Sequence, residues 1–146
     1  MSGEWRVVSG ERRGKRIGEV RAAGANRKPI RSYRDLIAWQ KGMSFAEGIY
    51  DLTDLFPKEE TFGLKLQLRR CAVSVPSNIA EGHARYSTRD FIHFLRVSRG
   101  SLAEAESQLM LCARREYISK TELEQALNES DELGRVRAGL ISSLSD

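Results

Sequence analysis

Three kinds of side chain in this sequence could do chemistry, and their spacing decides what each can do. The sharpest is a run of arginines. At about 100° per residue on a helix, Arg85, Arg89, Arg96 and Arg99 fall within roughly an 80° arc opposite an apolar face made by Phe91 to Leu102, with His93 at its edge. Lys65, Arg69 and Arg70 extend that patch if their side of the preceding segment turns the same way. Such a surface neutralises phosphates without reading base edges, so its binding is salt-sensitive and weakly sequence-specific. The structural alternative is that the arginines solvate an exposed face or pair with acids of a neighbouring subunit.

The second kind is polar and shares one helix face. Ser74, Asn78 and Glu81 stand at i, i+4 and i+7, with Gln67 one heptad before Ser74. A carboxylate and an amide on an apolar helix could be catalytic, yet no paired acid, partnered His or nucleophile completes a mechanism. The pattern fits a satisfied polar network that fixes helix register, meeting Arg70 or Arg96. An enzymatic reading rests on Asn78 and Glu81 alone, and the expectation is that the protein is not an enzyme.

The third kind is metal-ligating, and it is sparse. His83 and His93 are ten residues apart, on either side of Gly82, and supply too few ligands for a metal site. Glu104 and Glu106 point away from each other on a helix, so they are poor acid–base partners. Cys71 and Cys112 match neither zinc spacing nor a disulfide framework and read as small buried hydrophobes. Trp39 and Tyr50 sit at core spacing, which favours packing over base stacking. No metal or cofactor is expected.

Four segments must position these groups. The first opens at Ser32 with Asp35 three residues on, a capping pair, and predicts a helix from there with Leu36, Trp39, Met43, Ala46 and Tyr50 at three–four spacing. Phe45, Ile49 and Leu52 widen that stripe, and Phe56-Pro57 ends the segment. The second runs from about Phe62 to Glu81, is apolar over much of its circumference, and carries Pro76 inside it, which predicts a bend, with Gly82 as a left-handed stop. The third starts at Ser87 and continues to about Arg115, with a core face of Phe91, Phe94, Leu95, Leu102, Ala105, Leu109 and Cys112 that includes Ser98. The fourth starts at a capping box, Ser119 to Glu122, and carries Leu123, Leu127, Leu133, Val136, Leu140 and Leu144.

Four amphipathic helices joined by short connections predict an all-α, antiparallel up-down-up-down four-helix bundle over residues 32–146. A chain of 146 residues suffices for one such core. Gly42, Gly48, Gly100, Gly134 and Gly139 interrupt the helices, and together with the wide apolar face of the second segment they predict surfaces used between subunits.

Charge separates the rest. Residues 1–34 hold ten Lys and Arg against three acids, whereas residues 35–146 hold fourteen against seventeen. Residues 1–31 have glycines, charge and no apolar period, which predicts a disordered basic tail. No run of about eighteen apolar residues exists for a membrane span and no secretory signal is visible, so a cytoplasmic protein without a membrane partner is expected. An organelle transit peptide is the alternative for the Arg-rich start.

Specific residues then resemble a known family. Asp35-Leu36-Ile37-Ala38-Trp39-Gln40-Lys41, Phe62-Gly63-Leu64 and the block from Gln67 through Asn78 to Gly82 look like the bacterial four-helix proteins encoded in large-subunit ribosomal RNA intervening sequences. Phe91-Ile92-His93-Phe94-Leu95, Gly100-Ser101-Leu102-Ala103-Glu104 and Leu109 are similar to that family's next block. The resemblance spans about residues 33–142 in one order. It implies a four-helix subunit of a barrel-like homopentamer, a fold shared with the basic accessory protein of diversity-generating retroelements, which binds nucleic acid and a reverse transcriptase. Together with the arginines it points to a non-catalytic homopentamer that associates with RNA or DNA. The alternative is an oligomeric scaffold for another protein.

Overall fold

The computed structural model describes residues 5–7, 20–22 and 29–145, and four helices carry the fold. They are α1 (Ile37–Thr53), α2 (Leu64–Ala84), α3 (Thr88–Arg114) and α4 (Lys120–Leu144). The starts of the last two are set as the sequence predicts. Ser87 accepts from the Asp90 N–H, and Ser119 and Glu122 cap each other reciprocally, which satisfies N–H groups that a helix start leaves unpaired.

The start of α1 differs from expectation. Ser32 and Asp35 do form a capping box, but it opens only a single 3₁₀ turn, Tyr33–Asp35. Leu36 is then extended (φ −74°, ψ 124°) and its side chain is wholly buried, so the α-helix begins one residue later, at Ile37. Insertion of Leu36 into the core outweighs continuing the turn, since burying a leucine contributes about 1.5–3 kcal/mol.

The packing order is a ring in which each helix runs antiparallel to its neighbours. Gly42 of α1 faces Pro76 of α2, and Arg69 of α2 reaches Thr53 of α1. Ser74 meets Ser101, whereas Gly82, eight residues further on, meets Phe94, so α3 returns along α2. Glu106 of α3 accepts from Ser130 of α4, and Lys41 of α1 pairs with Glu132 of α4 at 2.6 Å, which closes the ring. The shared core contains Leu36, Phe45, Ile49, Leu68, Ile79, Phe91, Leu95, Leu109, Leu133 and Leu140, all fully buried.

Two predicted details of the helices are corrected. Helix α1 is turned from its expected stripe: its buried row is Ala38, Gly42, Phe45, Ala46, Ile49 and Thr53, while Met43 and Tyr50 are 38% and 43% exposed. Gly82 is not a left-handed stop. Helix α2 continues through it to Ala84, and the left-handed residue is Tyr86 (φ 54°). Gly82 is needed for closeness instead, because a Cβ there would lie 2.6 Å from the Phe94 Cβ and 3.2 Å from the Phe91 ring. Pro76 lies inside α2 without ending it, and its ring sits where a Cβ on Gly42 would be 3.2 Å away.

Most of the predicted tail, residues 1–4, 8–19 and 23–28, lies outside the described residues. Within it, β1 (Trp5–Val7) and β2 (Val20–Ala22) pair antiparallel, with Arg6 opposite Arg21. Ile30 is 5% exposed and belongs to the core, so packing of the bundle begins before Ser32. Among the described residues no helix is long and apolar enough to cross a membrane.

Candidate nucleic-acid interface

The predicted arginine patch is partly assembled. Arg89 and Arg96 are exposed on the outer side of α3, seven residues apart, with exposed His93 between them lying edge-on to Phe94. Arg99 is exposed as well but turns toward α4, where it lines a cleft between the two helices. Arg70 is exposed on α2, away from the buried row of Leu68, Ala72, Val75 and Ile79. None of these four guanidinium groups is paired with a carboxylate among the described residues.

Arg85 does not belong to α3. It caps the C-terminal end of α2, pairs with Glu81 at 2.9 Å, and stacks 5.2 Å over the Phe94 ring. Its exposed ion pair is of the kind that contributes little, so the charge stays reachable beside the α3 row.

Arg69 turns the other way, toward α1. Its Nε donates to Thr53 Oγ1 at 2.8 Å, its Nη2 donates to the Tyr50 carbonyl and to Asp54 Oδ1, and the guanidinium lies 4.3 Å above the Tyr50 ring. Thr53 is wholly buried and its hydroxyl donates a hydrogen bond to the Ile49 carbonyl. Arg69 therefore locks the end of α1 against α2, and its charge is spent inside the subunit.

The predicted polar face resolves into a smaller network along the α2–α3 seam. Ser74 and Ser101 share a 2.7 Å bond, and Asn78 Nδ2 donates to the Ser74 carbonyl at 2.8 Å and to Ser74 Oγ at 2.9 Å. Buried Ser98 donates to the Val75 carbonyl, next to Pro76. Gln67 and Glu81 are exposed and stand outside this network, with Glu81 turned to Arg85. The seam instead recruits Cys71, which lies 3.3 Å from Glu104 and accepts from Gln108 Nε2. Burial, and then the hydrogen bond to the Glu104 carboxylate, push the Cys71 thiol up, which favours the thiol over the thiolate. Burial pushes Cys112 up to about 11.

The other titratable groups lie apart from one another. Glu104 faces α2 while Glu106 faces α4, so the two carboxylates flank opposite sides of α3. His83 is buried edge-on to Phe91, and burial lowers its pKa, with the Asp35 charge opposing this weakly. Among the described residues no three His, Cys, Asp or Glu side chains converge as a metal site would require.

Two features escaped the sequence reading. One is an apolar groove of about 510 Å³ on the outer side of α1 and α2, lined by Trp39, Met43, Tyr50 and Val73 with Tyr33 at one end. The other is Arg137 on α4, which is buried although it carries a charge. Its signal was present, since Ala126, Ser130, Leu133, Arg137, Leu140 and Leu144 keep one three–four register and all are buried.

The family of 23S rRNA-intervening sequence proteins matches residues 34–139, which span α1 to most of α4 and exclude the tail. This chain belongs to that family. A crystal structure of a protein of unknown function from the S23 ribosomal protein family of Bacteroides thetaiotaomicron is similar to it, at 28% identity, with a TM-score of 0.67 over 72% of this chain and 98% of the other. No curated protein matches the chain. The exposed arginines of α3 and the apolar α1–α2 groove are two surfaces that the described residues leave available.

Proposed function

We propose that the chain is a non-catalytic, cytoplasmic homo-oligomer, a pentamer as its family resemblance implies, which associates with nucleic acid through Arg70, Arg89, Arg96 and Arg99, with Arg85 alongside. The observation that carries this reading is the pair Arg89 and Arg96, aligned on one exposed helix face with no carboxylate partner among the described residues. Unpaired arginines cost a surface nothing to present and gain affinity by releasing counterions from phosphates. Arg69 is not part of this surface.

Arg89→Gln together with Arg96→Gln tests it in the full chain, where the tail contributes equally to both proteins. Affinity for mixed-sequence RNA and DNA falls similarly across sequences, and the slope of log affinity against log salt flattens by up to about two units. Equal affinity and slope in the two proteins would refute it.

A second reading, an oligomeric scaffold for another protein, is favoured by the groove of Trp39, Met43, Tyr50 and Val73, because a monomer seldom leaves aromatic and Met side chains together in one concavity. Light scattering decides whether a second copy uses it: several subunits are expected, and Met43→Glu with Tyr50→Glu reduces their number. A wild-type monomer at micromolar concentration would remove the oligomeric part of the proposal.

A further inference from the structure

Helices α3 and α4 part along one flank to leave a cleft of about 460 Å³, and three arginines line it: Arg99, Arg135 and Arg137. Arg137 is the unusual one. It is 7% exposed, and its Nε is buried without a hydrogen-bond partner among the described residues. A guanidinium cannot shed its proton in the physiological range, so a buried one needs a counter-charge or a set of acceptors. The charge that acts on it across the cleft is another cation, Arg99, which joins burial in lowering its pKa.

Carboxylates of the same cleft do not meet this need. Glu106 accepts from the buried Ser130 hydroxyl, and Asp131 is exposed at the rim. Neither forms an ion pair with Arg137 among the described residues. The cleft is also kept open by Gly134, where an added Cβ would meet nothing within 4 Å. Three cations against two carboxylates leave positive charge around that space, with an unpaired buried N–H beside it.

We infer that the α3–α4 cleft is a binding site for a phosphate group, held between Arg99, Arg135 and Arg137, with Arg137 Nε–H as its innermost donor. A tetrahedral phosphate presents oxygens in several directions at once and so suits three guanidinium forks, whereas a planar carboxylate is filled by one or two. The cleft exceeds the size of a bare ion, which leaves room for whatever the phosphate is attached to. Free phosphate, a strand end and an internal phosphodiester all present this chemistry. The site extends the nucleic-acid reading but does not rest on it, because a protein that binds no strand can still bind inorganic phosphate.

The test is equilibrium dialysis of the full chain with labelled inorganic phosphate at low ionic strength, comparing wild type with Arg137→Gln and Gly134→Leu. Gly134→Leu keeps every polar group, places its Cβ in open space and replaces glycine by a better helix former, so it fills the cleft in a folded protein even if Arg137→Gln perturbs the fold. One phosphate per chain is expected in wild type, with affinity at least tenfold weaker in both variants. Phosphate should also raise the wild-type melting midpoint, beyond chloride at equal ionic strength, and leave Gly134→Leu unmoved.

Oligonucleotides with and without a 5′-phosphate then identify the source. Displacement of phosphate by both strands assigns internal diesters, displacement by the phosphorylated strand alone assigns an end group, and displacement by neither assigns the free anion. Absence of saturable phosphate binding, or equal binding in both variants, overturns the inference. So does a phosphate-insensitive protein whose subunit number changes in Gly134→Leu, since the cleft would then be occupied by a second copy of the chain.

Discussion

The two flanks of α3 are built in opposite ways. Toward α2 the seam is closed: Gly82 admits Phe94 and Phe91 to contact, Ser74 bonds Ser101, and Ser98 bonds the Val75 carbonyl. Toward α4 the flank is open around Gly134, and a buried arginine lacks a partner for its Nε. Glycine thus serves two ends in one bundle. At Gly82 and Gly42 it lets helices touch, while at Gly134 it leaves space that no side chain of the described residues fills. The seam is packed closed, with Gln108 Oε1 and His83 Nε2 buried along it without a partner among the described residues, whereas the cleft sets an unpartnered buried cation beside open space.

Substitutions should separate the flanks when all variants are compared at one fixed protein concentration. The largest effect is expected at the seam, where Phe91→Ala leaves a cavity beside Gly82 and lowers unfolding free energy by about 3–5 kcal/mol in denaturant titration. Gly82→Ala forces a Cβ into Phe94 and costs about 1–3 kcal/mol despite its better helix propensity. The same change on the open side has the opposite sign, since Gly134→Ala gains about 1 kcal/mol. If Gly134→Ala destabilised as Gly82→Ala does, the distinction between the flanks would be lost.

The smallest effect is a pH dependence at the end of the seam. His83 has a folded pKa below its ordinary 6.5, so the unfolded chain binds its proton more readily. Its contribution is therefore fully present above 6.5 and is lost as pH falls from there through the folded value. Melting midpoints measured across that window should drop in wild type and drop less in His83→Leu. The groups that face His83 are Phe91, which does not titrate, and Asp35, whose charge acts only to oppose the shift.

The sequence made the starts of α3 and α4 legible, and the α3 core row apart from half-buried Phe94, because Ser87, Ser119 and the Phe91–Cys112 spacing are local signals that no tertiary contact overrides. It misplaced α1 because two apolar stripes overlap there, and the choice falls to Gly42 meeting Pro76, a contact between distant residues. Gly82 read as a stop for a related reason, since the sequence does not distinguish a glycine needed for a left-handed turn from one needed for closeness. At the candidate interface Arg89 and Arg96 were legible from the helical period, while Arg69 was not, since its fate depends on Thr53, Tyr50 and Asp54 lying across the α1–α2 boundary. Arg137 kept the register of its buried row, yet a cation in an apolar register is easily taken for a rim residue.

The two thiols give the molecule a built-in stopwatch. Cys112 is sealed in the core and Cys71 lies part-buried at the seam, each raised in pKa. A thiol-reactive dye meets part-exposed Cys71 in the folded chain, slowed by its raised pKa, but it can reach Cys112 only when the bundle comes undone. The Cys112 labelling rate therefore times unfolding, with Cys71 of the same unmodified chain as its internal reference.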